Sequence, residues 1–77
     1  MKAIITLKDG SKNHVSDLEK IVYPGYENIE IVTKDQIETF FLNPNNAYVF
    51  VGSQTLSVEA GQILTVEFTL SLIHISE

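Results

Sequence analysis

Apolar and polar residues alternate with a period of two along most of this chain, the pattern of strands with one buried and one solvated face. Ala3, Ile5 and Leu7 alternate with Lys2, Ile4, Thr6 and Lys8, and the stretch is rich in β-branched residues. Asp9-Gly10 follows at once. This dipeptide is a strong hairpin signal, because a type I′ turn needs positive φ at both central residues. A second strand is therefore expected to begin near Ser11 or Lys12 and to run to about Val15.

Ser16-Asp17-Leu18-Glu19 has capping-box spacing, but Ile21, Val22 and Tyr23 favour a strand and Pro24-Gly25 a turn. The expectation is a bend or single helical turn, then a strand. Asn28 to Thr33 alternates again, with Ile29 and Ile31 on one side and Glu30 and Val32 on the other. Thr33-Lys34-Asp35-Gln36 repeats the capping-box spacing, and Ile37, Phe40 and Phe41 then fall on one face of a helix. A strand carrying Ile37, Thr39 and Phe41 on one face competes with that helix over 34–42. Either element ends at Asn43-Pro44-Asn45-Asn46 by turn chemistry. Ala47 to Val51 is a nearly continuous β-prone run, Gly52-Ser53-Gln54 a turn, Thr55 to Val58 a strand and Ala60-Gly61 a turn. Finally, Ile63, Thr65 and Glu67 alternate with Leu64, Val66 and Phe68.

These elements predict a mainly β domain, with a β-rich α+β arrangement as the alternative. The expected form is a small antiparallel meander of five or six strands with at most one or two short helices. Curling into a barrel or half-barrel would hide its edges. Residues 1–69 form the one domain. Chains this short bury only about 60% of the surface exposed on unfolding, so two domains are excluded. The chain has no cysteine, so disulfides, thiolate nucleophiles and zinc-thiolate sites are excluded and burial must supply the stability. No stretch approaches the roughly 18 apolar residues of a membrane span. Met1 to Leu7 is too short an apolar stretch for a signal peptide, which makes the cytoplasm the expected location.

The last eight residues, Leu-Ser-Leu-Ile-His-Ile-Ser-Glu, resemble a product of library chemistry: they match the translation of a transposon-end sequencing adapter. That resemblance implies a metagenomic reading frame running into adapter sequence, with 70–77 a non-native tail. His74 is set aside from functional argument for that reason. Without Glu77 the net charge of −5 becomes −4.

Charge narrows the function. The five basic residues are all lysines and face ten carboxylates, so no guanidinium fork is available for phosphate, and direct nucleic-acid binding is not expected. Residues 21–69 hold six acids and one lysine, whereas residues 1–20 hold three acids and four lysines. Glu27, Glu30, Asp35 and Glu38 concentrate that acidity, opposed locally only by Lys34. They lack calcium-loop spacing, and no metal or cofactor is implied. As a surface they suit a basic protein partner, whose encounter such charge accelerates. Tyr23-Pro24-Gly25-Tyr26 places two amphipathic rings around a turn, a favourable anchor for an interface.

His14 with Ser16 and Asp17 forms no triad pattern, since His14 and Ser16 share one strand face with nothing to place a carboxylate behind the imidazole. Enzymatic activity is not expected. The layout resembles small proteins of bacteriophage and prophage genomes, in which an Asp-Gly hairpin precedes a Tyr-Val-Phe-Val-Gly strand, here Tyr48 to Gly52. The resemblance covers much of 1–69 and implies a phage setting; small size, lopsided charge and missing catalytic sets then make a phage-type accessory or counter-defence factor the expected function. Such a factor would bind a host protein through Tyr23, Tyr26, Glu27, Glu30, Asp35 and Glu38. The alternative is an oligomeric sponge holding a nucleotide-like signal on Tyr23, Tyr26, Tyr48, Asn45 and Asn46, and a homodimer joined at open strand edges fits either reading.

Overall fold

A computed structural model describes residues 1–69. The adapter-like reading of 70–77 lies outside the described residues. Seven strands run in the order β1 (Lys2–Leu7), β2 (Lys12–Val15), β3 (Lys20–Pro24), β4 (Ile29–Thr33), β5 (Ala47–Val51), β6 (Thr55–Glu59) and β7 (Ile63–Thr69). Two 3₁₀ segments, Lys34–Thr39 and Ala60–Gln62, precede β5 and β7. The strands form a three-stranded sheet of order β2-β1-β7 and a four-stranded sheet of order β4-β3-β5-β6. Every pairing is antiparallel.

The predicted barrel or half-barrel is overturned: among the described residues the two sheets are open, with seven strands instead of five or six. The chain breaks its ladders where it changes sheet. Between β2 and β3, Asp17 takes φ 53°, a left-handed conformation that no continuing strand allows. Between β6 and β7, the 3₁₀ turn at Ala60–Gln62 does the same. The sheets therefore meet through packing and isolated bonds. At one seam the Ser53 amide donates to the Ser16 carbonyl (2.8 Å), Glu19 N–H to Val51 O (2.8 Å) and the Gln54 side-chain amide to His14 O (2.6 Å). Gly52 fits this seam because a Cβ there would lie 2.5 Å from Ser16 O and 2.9 Å from Asp17 O. A cleft of about 450 Å³ is lined by Met1, by Phe68 of β7 and by Lys34, Asp35, Ile37 and Glu38 of the first 3₁₀ segment.

The core lies between the inner faces. Ala3, Ile5 and Val15 from the first sheet meet Ile21, Tyr48 and Phe50 from the second, with Leu18, Ala60 and Ile63 filling the sheet changes. The β1 alternation read from sequence holds: Ala3 and Ile5 are fully buried. The β7 alternation does not hold throughout. A register shift opposite Thr6 and Leu7 turns Ile63 inward and leaves Leu64 62% exposed, because a bulge adds one residue to the count.

The first turn also departs from type I′. Gly10 alone takes positive φ, 94°, and its N–H bonds the Leu7 carbonyl at 2.9 Å while Leu7 N–H bonds Ser11 O at 2.8 Å. This is a longer hairpin loop with glycine in the left-handed position. Asp9 Oδ1 accepts from the Ser11 backbone N–H (2.9 Å) and hydroxyl (2.7 Å), and these bonds hold its carboxyl below the ordinary value.

Of the competing readings over 34–42, a helix forms, but as 3₁₀ over Lys34–Thr39. Three residues per turn align Ile37 with Phe40 and leave Phe41 off that face. Accordingly Ile37 and Phe40 pack on the core and Phe41 is 83% exposed. Gln36 Oε1 accepts from Thr33 N–H at 3.4 Å, the reach-back bond expected from the capping spacing.

Candidate interaction surface

Sheet pairing determines which side chains share a face, because residues directly opposite project the same way. In the four-stranded sheet, Tyr23 pairs with Glu30 and Ile21 with Val32 on the inner face. On the outer face Val22 pairs with both Ile31 and Val49, and Pro24 with Ile29. The outer face thus carries Ile29, Ile31, Val22, Val49, Pro24 and Ala47 as one apolar stripe. Ile29 is 69% and Ile31 52% exposed. A shallow groove of about 210 Å³ with wholly apolar walls runs through it, bounded by Val22, Tyr23, Pro24, Ile29, Ala47 and Val49. The signal for this stripe was present in Lys20–Pro24 and Ala47–Val51, where both alternating sets are apolar. A strand greasy on both faces is normally covered on both.

The predicted site residues divide. Tyr26 stands at the tip of the β3–β4 turn and is 98% exposed, free to serve as an anchor. Tyr23 belongs to β3, half-buried, with its ring 5.2 Å from that of Tyr48. Glu27, Glu30, Asp35 and Glu38 are all exposed, yet they form a line instead of one cluster. Glu27 and Glu30 lie at the turn end of β4, whereas Asp35 and Glu38 ride the 3₁₀ segment after its other end. At roughly 3.3 Å per residue, β4 spaces these groups by about 13 Å. Among the described residues β4 has one strand neighbour, β3, so the acids flank an open sheet edge.

For the alternative ligand site, Tyr48 is only 1% exposed and cannot offer its ring for stacking. Its hydroxyl accepts from Asn43 N–H at 2.8 Å and donates to Phe41 O at 3.4 Å, and Phe40 meets its ring edge-on at 5.4 Å. Tyr48 is therefore an internal brace for the 40–46 segment. Asn45 and Asn46 lie in the turn that leads into β5, where their backbone N–H groups bond Asn43 Oδ1 (2.9 Å) and Asn43 O (3.0 Å). These donors are already engaged.

His14 is exposed on β2 opposite Ile4, and the exposed Ser16 and Asp17 follow in the bend packed against Gly52. Among the described residues no group of His, Asp or Glu side chains has the arrangement of a metal site. No described helix is long and apolar enough to cross a membrane. Neither a protein-family model, a curated protein nor a solved structure matches the chain. The surface itself must carry the functional argument: a small antiparallel β domain presenting exposed aromatic and aliphatic side chains at one sheet end, consistent with protein interaction.

Proposed function

We propose that this chain is a non-enzymatic interaction protein that binds and modulates a host protein, in the manner of a phage-type accessory or counter-defence factor. The phage setting rests on the sequence resemblance alone. The interaction reading rests chiefly on one observation: Tyr26, 98% exposed, stands in the β3–β4 turn three residues before the exposed Ile29, where the apolar stripe begins. Contiguous exposed apolar surface rimmed by charge is characteristic of docking sites. Tyrosine supplies contact area and a hydroxyl at small entropic cost, and the carboxylates along β4 would steer a basic partner toward it.

The test is capture from bacterial lysate with the tagged full chain, beside Tyr26→Ala and Glu30→Lys. A partner retained by the parent should be lost by about tenfold with each substitution, because each removes a central contact or reverses a steering charge. Retention should also fall as salt rises, given a screening length of about 8 Å at 0.15 M. A partner held equally by all three proteins refutes the reading.

A further inference from the structure

We infer that the partner is recognised by strand addition: an extended segment with alternating apolar residues and a lysine or arginine pairs along the open edge of β4. This inference rests on the interaction reading above and names its chemistry. Within the described residues, β4 is the outer strand of its sheet. The edge of β2, by contrast, is partly closed, since Gln54 reaches the His14 carbonyl and Ser53 the Ser16 carbonyl. The other outer strands, β6 and β7, carry one carboxylate each, Glu59 and Glu67, and lack the pair of exposed isoleucines that marks β4. Edge strands are commonly guarded by proline, lysine or a bulge. The five residues of β4, Ile-Glu-Ile-Val-Thr, hold neither lysine nor proline, and the β3–β4 register runs without a shift from Lys20↔Thr33 to Pro24↔Ile29.

The register of β3 on β4 specifies what an added antiparallel strand must bring. Positions opposite Ile29 and Ile31 fall on the outer face beside their exposed side chains, extending the apolar stripe by one strand. The position opposite Val32 falls on the inner face and favours an apolar residue. The Glu30 side chain leans over Gly25, its Oε2 2.9 Å from where a Cβ on that glycine would sit, and no described residue bonds the carboxylate; a residue opposite Glu30 must reach it across the strand, which a long basic side chain does. Glu27 beyond one end and Asp35 and Glu38 beyond the other extend the same preference to flanking positions, except immediately after Thr33, where Lys34 opposes it. Glu30 thus acts as a filter: it opposes apolar or acidic strands and admits a basic one, a specificity device built from repulsion as much as attraction. The same charges argue against a second copy of this chain, because a two-fold axis at β4 would bring two acidic edges together.

The test uses a fluorescently labelled peptide, Ser-Thr-Val-Ile-Lys-Ile-Lys, whose fifth residue, a lysine, falls opposite Glu30, and a twin with glutamate at that position. Fluorescence polarisation with the full chain should show saturable binding of the lysine peptide and about tenfold weaker binding of its twin. Glu30→Lys should invert that preference, and Glu30→Gln should abolish it, each variant being checked for parent-like circular dichroism. Amide exchange should slow along Ile29–Thr33 when the lysine peptide binds.

Equal binding of the two peptides, or a preference that Glu30→Lys does not invert, overturns the proposal. So does strong protection, without peptide, of those β4 amides that do not bond β3, which would mean that another part of the chain or a second copy occupies the edge. Sedimentation velocity would distinguish those two occupants. If neither peptide binds while lysate capture still depends on Tyr26, strand addition falls and the interaction reading stands.

Discussion

Replacing Gly52 by alanine should loosen the two sheets at their seam. The added methyl would lie 2.5 Å from Ser16 O, 2.9 Å from Asp17 O and 2.9 Å from a Val15 methyl. Two of these neighbours are backbone atoms, so no side-chain rotation relieves the contact. Overpacking of this kind costs about 1–3 kcal/mol. The Ser53 to Ser16 bond spans the same gap, and stretching it removes a further ~1 kcal/mol. The total is about 2–4 kcal/mol, in a domain whose whole stability is roughly 4–10 kcal/mol by size. Each kcal/mol moves Tm by about 4–8 °C at this length, so a fall of about 8–30 °C is expected by circular dichroism, with a matching loss in urea denaturation. Gly61→Ala is the control, because a methyl there would meet nothing nearer than Pro44 O at 3.9 Å. If Gly52→Ala unfolds within about 0.5 kcal/mol of the parent, the seam does not hold the sheets as argued.

Tyr48→Phe should cost about 1–2 kcal/mol in urea denaturation, since it strips the part-buried Asn43 N–H of its acceptor while leaving the ring packing in place. Ile63→Ala should cost about 2–4 kcal/mol and Leu64→Ala less than about 0.5 kcal/mol, the reverse of what uninterrupted alternation from Leu64 through Val66 and Phe68 would give; equal costs would refute the bulge. The Ser11 bonds lower the Asp9 pKa on folding, so their stabilisation is fully present above the unfolded value near 3.8 and is lost as pH falls through the lower folded value. Asp9→Ala should therefore narrow its stability gap from the parent as the medium is acidified below that point, measured by urea midpoints at stepped pH.

Strand positions were legible in the sequence because they depend on local alternation and turn residues. β1, β2 and β5 fall where Ala3-Ile5-Leu7, the segment before Val15 and the Ala47–Val51 run placed them. Sheet closure was not legible, because it depends on how the ladders end at Asp17 and Ala60, where a left-handed residue and a 3₁₀ turn redirect the chain. Likewise, Phe41 was grouped with Phe40 by a 3.6-residue period that the 3₁₀ segment does not follow. At the candidate surface, Tyr26 and the carboxylates were visible as residue types in suitable places. The outer stripe needs the pairing to be seen: Val22 and Val49 lie in runs apolar on both faces, and only the ladder shows which face nothing described covers.

The central place of β1 in its sheet bears on how the chain acquires its structure. Every pairing within the four-stranded sheet joins segments between residues 20 and 59, and each can form soon after its residues emerge from a ribosome. β1, made first, has only the short β2 hairpin for company until β7 arrives more than fifty positions later. Contacts so distant in sequence slow folding. A two-stranded hairpin is marginal alone. During synthesis Ile5 must therefore wait in a half-built layer, and a chain arrested before Ile63 would display that apolar edge to whatever holdase or protease finds it first.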